Sequence, residues 1–129
     1  MNFANTHTLT NVSFMASSIN NMCYTFNNCR NLTGEPVCGP NVIDMSMTYA
    51  NCMNLTGSPV CGPNVTNMYQ TYAFCYNLTG TPVCGPNVID MAYAYYYCNK
   101  LTGPSILIGP NVTNMKYAYW STRKNNNTY

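Results

Sequence analysis

The sequence predicts a repeat solenoid of about five 23-residue coils, each holding one short strand and one short helix. Three observations carry that expectation. The stretch Cys29-Arg-Asn-Leu-Thr-Gly-Glu-Pro-Val-Cys-Gly-Pro-Asn-Val recurs from Cys52 and from Cys75, each time after 23 residues, and Cys98 continues the series. Apolar residues hold fixed places in the repeat, so they face a shared core that no single coil could bury alone. Within a coil, Val65, Met68, Tyr72 and Cys75 are spaced three, four and three apart, which is one face of a short helix.

The elements follow in order. Residues 1–5 are a lead-in. The coils run over 6–28, 29–51, 52–74, 75–97 and 98–121, and a polar tail occupies 122–129. The first coil is degenerate, and the last carries Ile108 as an insertion before Gly109-Pro110. The structural columns are Leu32, Leu55, Leu78 and Leu101 (with Leu9), Met45, Met68, Met91 and Met115 (with Met22), and Cys29, Cys52, Cys75 and Cys98. Phe14, Val37, Val60, Val83 and Ile106 form another column; so do Ile19, Val42, Val65, Val88 and Val112, and Phe26, Tyr49, Tyr72, Tyr95 and Tyr119. Asp44, Asn67, Asp90 and Asn114 stand just before the helical spacing and read as N-caps. Leu55 to Val60 reads as a short extended segment turning at Gly62-Pro63. Pro36, Pro59 and Pro82 remove ladder donors there, which excludes a long flat sheet.

Composition narrows the function. Charged residues are 6% of the 129, against roughly 25% in ordinary domains, and the net charge is +2. That is too little positive charge for a nucleic-acid footprint. The polar surface is made instead by Asn, present 21 times, with Thr, Ser and Tyr. Apolar runs are only a few residues long, so no membrane span is expected. The opening Met1-Asn-Phe-Ala-Asn-Thr-His shows neither the basic nor the apolar region of a secretory leader.

The pattern Cys-x-x-Leu, an extended run to Asn-Val-x-x-Met-x-x-x-Tyr, then the next Cys, resembles the BspA-like leucine-rich repeat across residues 6–121. Phe26 matches the family's usual aromatic before the next Cys, and Tyr49, Tyr72, Tyr95 and Tyr119 replace it. The Gly-x-Pro-Val-Cys-Gly-Pro segment departs from the pattern. The resemblance implies a leucine-rich-repeat-like, right-handed α/β solenoid with a parallel strand and a helix per coil. It also implies a bacterial surface or phage-associated protein that binds host cells or matrix, located outside the cell or on a virion.

Chemistry of other kinds finds little support. Cys38, Cys61 and Cys84 share their column with Met15 and Leu107, so both cysteine columns read as small apolar core sites, buried free thiols rather than disulfides. His7 is the sole histidine and no Cys-x-x-Cys pair occurs, so no metal is expected. Glu35 stands alone, Asp44 and Asp90 are explained as caps, and no catalytic residue or cofactor is assigned. The Asn31, Asn54 and Asn77 sequons read as turn residues.

What varies between the fixed columns is the surface. Tyr69, Tyr76, Tyr93, Tyr97 and Tyr117 occupy changing positions on a constant scaffold, as antibody contact residues do, and are the candidate ligand contacts. The expected function is a non-enzymatic adhesin-like module binding a glycan or protein on a cell surface. The alternative is a structural spacer that self-associates through its coil ends into longer arrays.

Overall fold

The computed structural model describes residues 2–12, 17–102 and 108–122. Among them there is no helix, and pairing of strand type is confined to isolated parallel bridges. These run Asn21 to Asp44, Asp44 to Asn67, Asn67 to Asp90 and Asp90 to Asn114. The chain is therefore not the α/β solenoid of strands and helices, nor the leucine-rich-repeat solenoid, that the sequence led us to expect. It is a stack of coils made of turns joined by irregular backbone.

The reason lies in where the backbone N–H groups go. In a helix each would bond four residues back along its own chain. Here Met45, Met47, Tyr49 and Asn51 donate instead to Asn67, Tyr69, Thr71 and Ala73 of the next coil, at 2.8–2.9 Å. Between them, Thr48 closes a turn onto the Met45 carbonyl and Cys52 closes one onto that of Tyr49. Each turn has a left-handed residue in third place, Met47 at φ 54° and Asn51 at φ 64°, as a type II turn requires. Those two reversals per coil forbid a helix. They nonetheless keep residues four apart, such as Met45 and Tyr49, on the same inward side, so the spacing imitates helical periodicity.

The same pair of reversals recurs down the stack: Tyr24 and Asn28, Gln70 and Phe74, Tyr93 and Tyr97, Tyr117 and Ser121. The expected N-cap column does its hydrogen bonding without a helix behind it. Asp44, Asn67 and Asp90 accept the N–H two residues ahead, from Ser46, Tyr69 and Ala92, at 2.8–2.9 Å, and Asn114 accepts from Lys116 at 3.2 Å. These are Asx turns. On the other side of each coil the donation runs the opposite way: Thr33, Thr56 and Thr79 give their N–H to Thr10, Gly34 and Gly57 of the preceding coil.

Inside the stack the columns pack as ladders. Met22, Met45, Met68 and Met91 are fully buried, as are Val42, Val65 and Val88, while Leu32, Leu55, Leu78 and Leu101 are buried to within a few per cent. Leu9, Ile19, Val112 and Met115 lie at the ends, partly buried against the same core. An aromatic ladder runs through the body: Phe3, Phe26, Tyr49, Tyr72, Tyr95 and Tyr119 stack face to face, 5.4–5.7 Å apart and within 14° of parallel. Ring stacking of this kind fixes register, because a slip by one residue would carry every ring out of line. Phe14, Met15, Ile106, Leu107 and the tail from 123 onward lie outside the described residues.

Candidate functional site: an aromatic face on the later coils

The left-handed residues do more than turn the chain. Their positions coincide with two of the columns that change between coils: Tyr24, Met47, Gln70, Tyr93 and Tyr117, and Asn28, Asn51, Phe74 and Tyr97. A side chain at such a position is held away from the core, which is why its identity can change without disturbing the ladders.

In the later coils these columns become aromatic, and the rings meet. Tyr69 contacts Tyr93 at 6.2 Å between centroids, and Tyr93 contacts Tyr117 at 5.4 Å. Phe74 stacks on Tyr97 at 5.8 Å and 7°, with Tyr76 against its edge at 6.2 Å. All five sequence-predicted residues thus belong to one patch. Three rings that the sequence reading did not single out complete it. Tyr96 joins the halves through edge contacts with Phe74, Tyr93 and Tyr97, and Trp120 extends them beyond Tyr117 at 5.1 Å. The signal for Tyr96 and Trp120 was the column Asn27, Ala50, Ala73, Tyr96, Trp120, which turns aromatic only in the last two coils, while Phe74 shares the column of Tyr97.

The patch is half-buried, with Tyr76 the most open of the eight rings. Its electrostatics are mild. Lys116 Nζ sits 5.5 Å from the Tyr117 ring centre, a cation–π geometry. The Tyr96 hydroxyl is held above the ordinary tyrosine pKa by loss of water around it, then by the neighbouring Tyr97, Tyr93 and Tyr117 hydroxyls. Gln70 Nε2 donates to Tyr69 Oη at 3.1 Å and braces that ring.

The remaining candidates are accounted for by the fold. Cys29, Cys52, Cys75 and Cys98 are buried thiols donating to the carbonyls of Phe3, Phe26, Tyr49 and Tyr72, each 26 residues back, at 3.0–3.2 Å. Cys38, Cys61 and Cys84 are thiols too, but half-buried rather than buried. Burial pushes the Cys52 and Cys61 thiols up to about 12, so neither is a nucleophile at neutral pH. The sequon asparagines Asn31, Asn54 and Asn77 donate their amides to carbonyls of His7, Arg30 and Met53, one coil back. Among the described residues, no three of His, Cys, Asp and Glu gather where they could hold a metal ion, and no helix is long and apolar enough to cross a membrane. What this surface offers chemically is ring faces, ring edges and hydroxyls. Compared with protein-family models, with curated proteins and with solved structures, the chain matches none.

Proposed function

We propose that this protein is a non-enzymatic recognition module that binds a glycan or protein on a cell surface through its aromatic face. The observation that supports the reading is the continuous patch of half-exposed rings built on variable positions of a repeating scaffold. Tyrosine and tryptophan give large, rigid contact area at low cost in side-chain entropy, and such residues dominate binding energy where they occur at interfaces. The hydrogen-bonded coils behind them hold each ring in place before a ligand arrives, which limits the ordering penalty on binding.

The test is binding of the labelled, monomeric protein to intact bacterial cells, beside a variant carrying Tyr69→Ser, Tyr93→Ser and Tyr117→Ser. The expected result is saturable binding that the variant loses while its unfolding transition is kept. A folded monomer that binds no cell would overturn the reading. Polymers growing with concentration in the same sample would point to end-to-end stacking instead.

A further inference from the structure

From the makeup of the aromatic face we infer that its ligand is an uncharged polysaccharide chain lying along the stacking axis over the last three coils. The inference rests on the recognition reading and narrows it to one ligand class.

Charge comes first. Among the described residues, the cation found against the rings is Lys116, and the three acidic residues of the chain are Glu35, Asp44 and Asp90, none of them in the ring contacts. Asp90 is engaged in its own turn, accepting the Ala92 N–H. A cationic ligand would meet Lys116 and no compensating carboxylate. Among the described residues, a polyanion would find Lys116 against a ring and Lys100 already held by Asn77 beside Tyr76, where several free basic groups are needed to hold it against salt. A neutral ligand loses nothing on this surface.

Shape comes second. Most ring pairs in the patch meet edge to face, at 61–88°, so its surface is broken into ring-sized facets at different tilts. A partner helix or strand needs a continuous groove for its row of side chains. A sugar ring needs one flat facet for its C–H face and nearby hydroxyls for its rim, and Tyr93, Tyr96, Tyr97 and Tyr117 supply both.

Periodicity comes third. The facets recur with the coil, since Phe74 and Tyr97 are parallel to 7° at 5.8 Å and occupy the same place one repeat apart. The next pair along the face, Tyr93 and Tyr117, is also separated by one coil, at 5.4 Å. Aromatic rings recurring at one-coil spacing, parallel at Phe74 and Tyr97 and tilted by 61° at Tyr93 and Tyr117, fit a chain of repeating units whose successive rings can turn about their linkages.

The experiment titrates the intact protein with dimers and hexamers of neutral β-linked glucose, N-acetylglucosamine and mannose, read by Trp120 fluorescence and by migration in polysaccharide-containing native gels. Dextran sulfate serves as the charged control. The expected result is saturable, salt-insensitive binding of at least one neutral hexamer, roughly tenfold or more tighter than its dimer, as added subsites give. The binding should fall at least tenfold in Tyr97→Asn with Tyr117→Asn, because Asn suits the left-handed backbone and keeps the fold.

Silence toward every neutral hexamer overturns the inference. So does equal affinity for dimer and hexamer, or binding of dextran sulfate alone that salt abolishes. Cell binding that needs Tyr93 and Tyr117 but is not competed by any of these glycans overturns the ligand class and leaves the recognition reading standing. Absence of cell binding removes both.

Discussion

The Tyr72 hydroxyl is clasped twice by the backbone of Val60: it accepts the Val60 N–H at 2.9 Å and donates to the Val60 carbonyl at 2.5 Å. Tyr49 does the same with Val37, and Tyr95 with Val83. Each clasp ties the turn-built wall of a coil to its proline-bearing wall across the core. The proline-bearing segments have few ladder bonds of their own, so this one hydroxyl satisfies both polar groups of a partly buried residue.

Tyr72→Phe should therefore destabilise the protein although it keeps the ring and its stacking. It leaves the Val60 N–H and carbonyl without their partner, a loss of about 1–3 kcal/mol. The urea unfolding midpoint measures it. An unchanged midpoint would mean that water replaces the hydroxyl and that the clasp holds little.

Alkaline pH should loosen the stack below the range where tyrosines of the folded protein ionise. Burial raises the Cys52 and Cys61 thiols from 9.0 to about 12 and lifts the Tyr72 and Tyr95 hydroxyls well above their ordinary 10.0. The folded state thus keeps protons that the unfolded chain has already released, so stability falls as pH rises. The contribution is whole below pH 9.0 and drains away between there and about 12. Unfolding midpoints taken on both sides of pH 9 should drop on the alkaline side, and a flat profile would contradict the burial of these groups.

Gly62 should resist substitution for a reason of space. A Cβ built there would stand 3.0 Å from Cys38 Sγ and 3.1 Å from the Gly39 carbonyl oxygen. Gly85 meets Cys61 and Gly62 in the same way, so the half-buried thiol column fits only because a glycine faces it from the next coil. Gly62→Ala should cost about 1–3 kcal/mol by overpacking. Adding Cys38→Ala removes the sulfur but not the carbonyl, so it should restore part of the loss. A double-mutant cycle on unfolding free energies checks this, and strict additivity would sink it.

How far the sequence discloses this molecule depends on which residues are asked. The ladders of Met45, Met68 and Met91 and of Tyr49, Tyr72 and Tyr95 were legible, because burial at a fixed repeat leaves an invariant column. The secondary structure was not. Val65, Met68, Tyr72 and Cys75 are spaced as a helix would space them, and successive type II turns place them on one side equally well. Periodicity reports which residues face inward and is blind to where N–H groups point. A sharper signal was present in Asn28 and Asn51, since asparagine tolerates φ > 0, but Met47, Gln70, Phe74 and Tyr93 hide the position in other coils. The aromatic face was half legible: variable tyrosines showed, whereas Tyr96 and Trp120 stand in a column that is Asn or Ala in the earlier coils.

That concealment leads to the last prediction. A bulky residue held in the left-handed region costs roughly 1–2 kcal/mol relative to one at ease there. Tyr93 at φ 59° and Tyr117 at φ 54° bear that cost, whereas Asn28 at φ 61° bears less of it in the same kind of turn. Backbone strain of this kind clusters at functional sites, and Tyr93 and Tyr117 carry theirs on the proposed binding face. Tyr93→Asn and Tyr117→Asn should thus leave the unfolding midpoint unchanged or raise it, while binding to cells falls at least tenfold. Tyr24→Asn, at φ 61° in a coil two places before Tyr69, should give the same stability change with no effect on binding. Loss of stability in the two tyrosine variants, of the size expected for a deleted core aromatic, would instead make these rings part of the scaffold and remove them from the binding face.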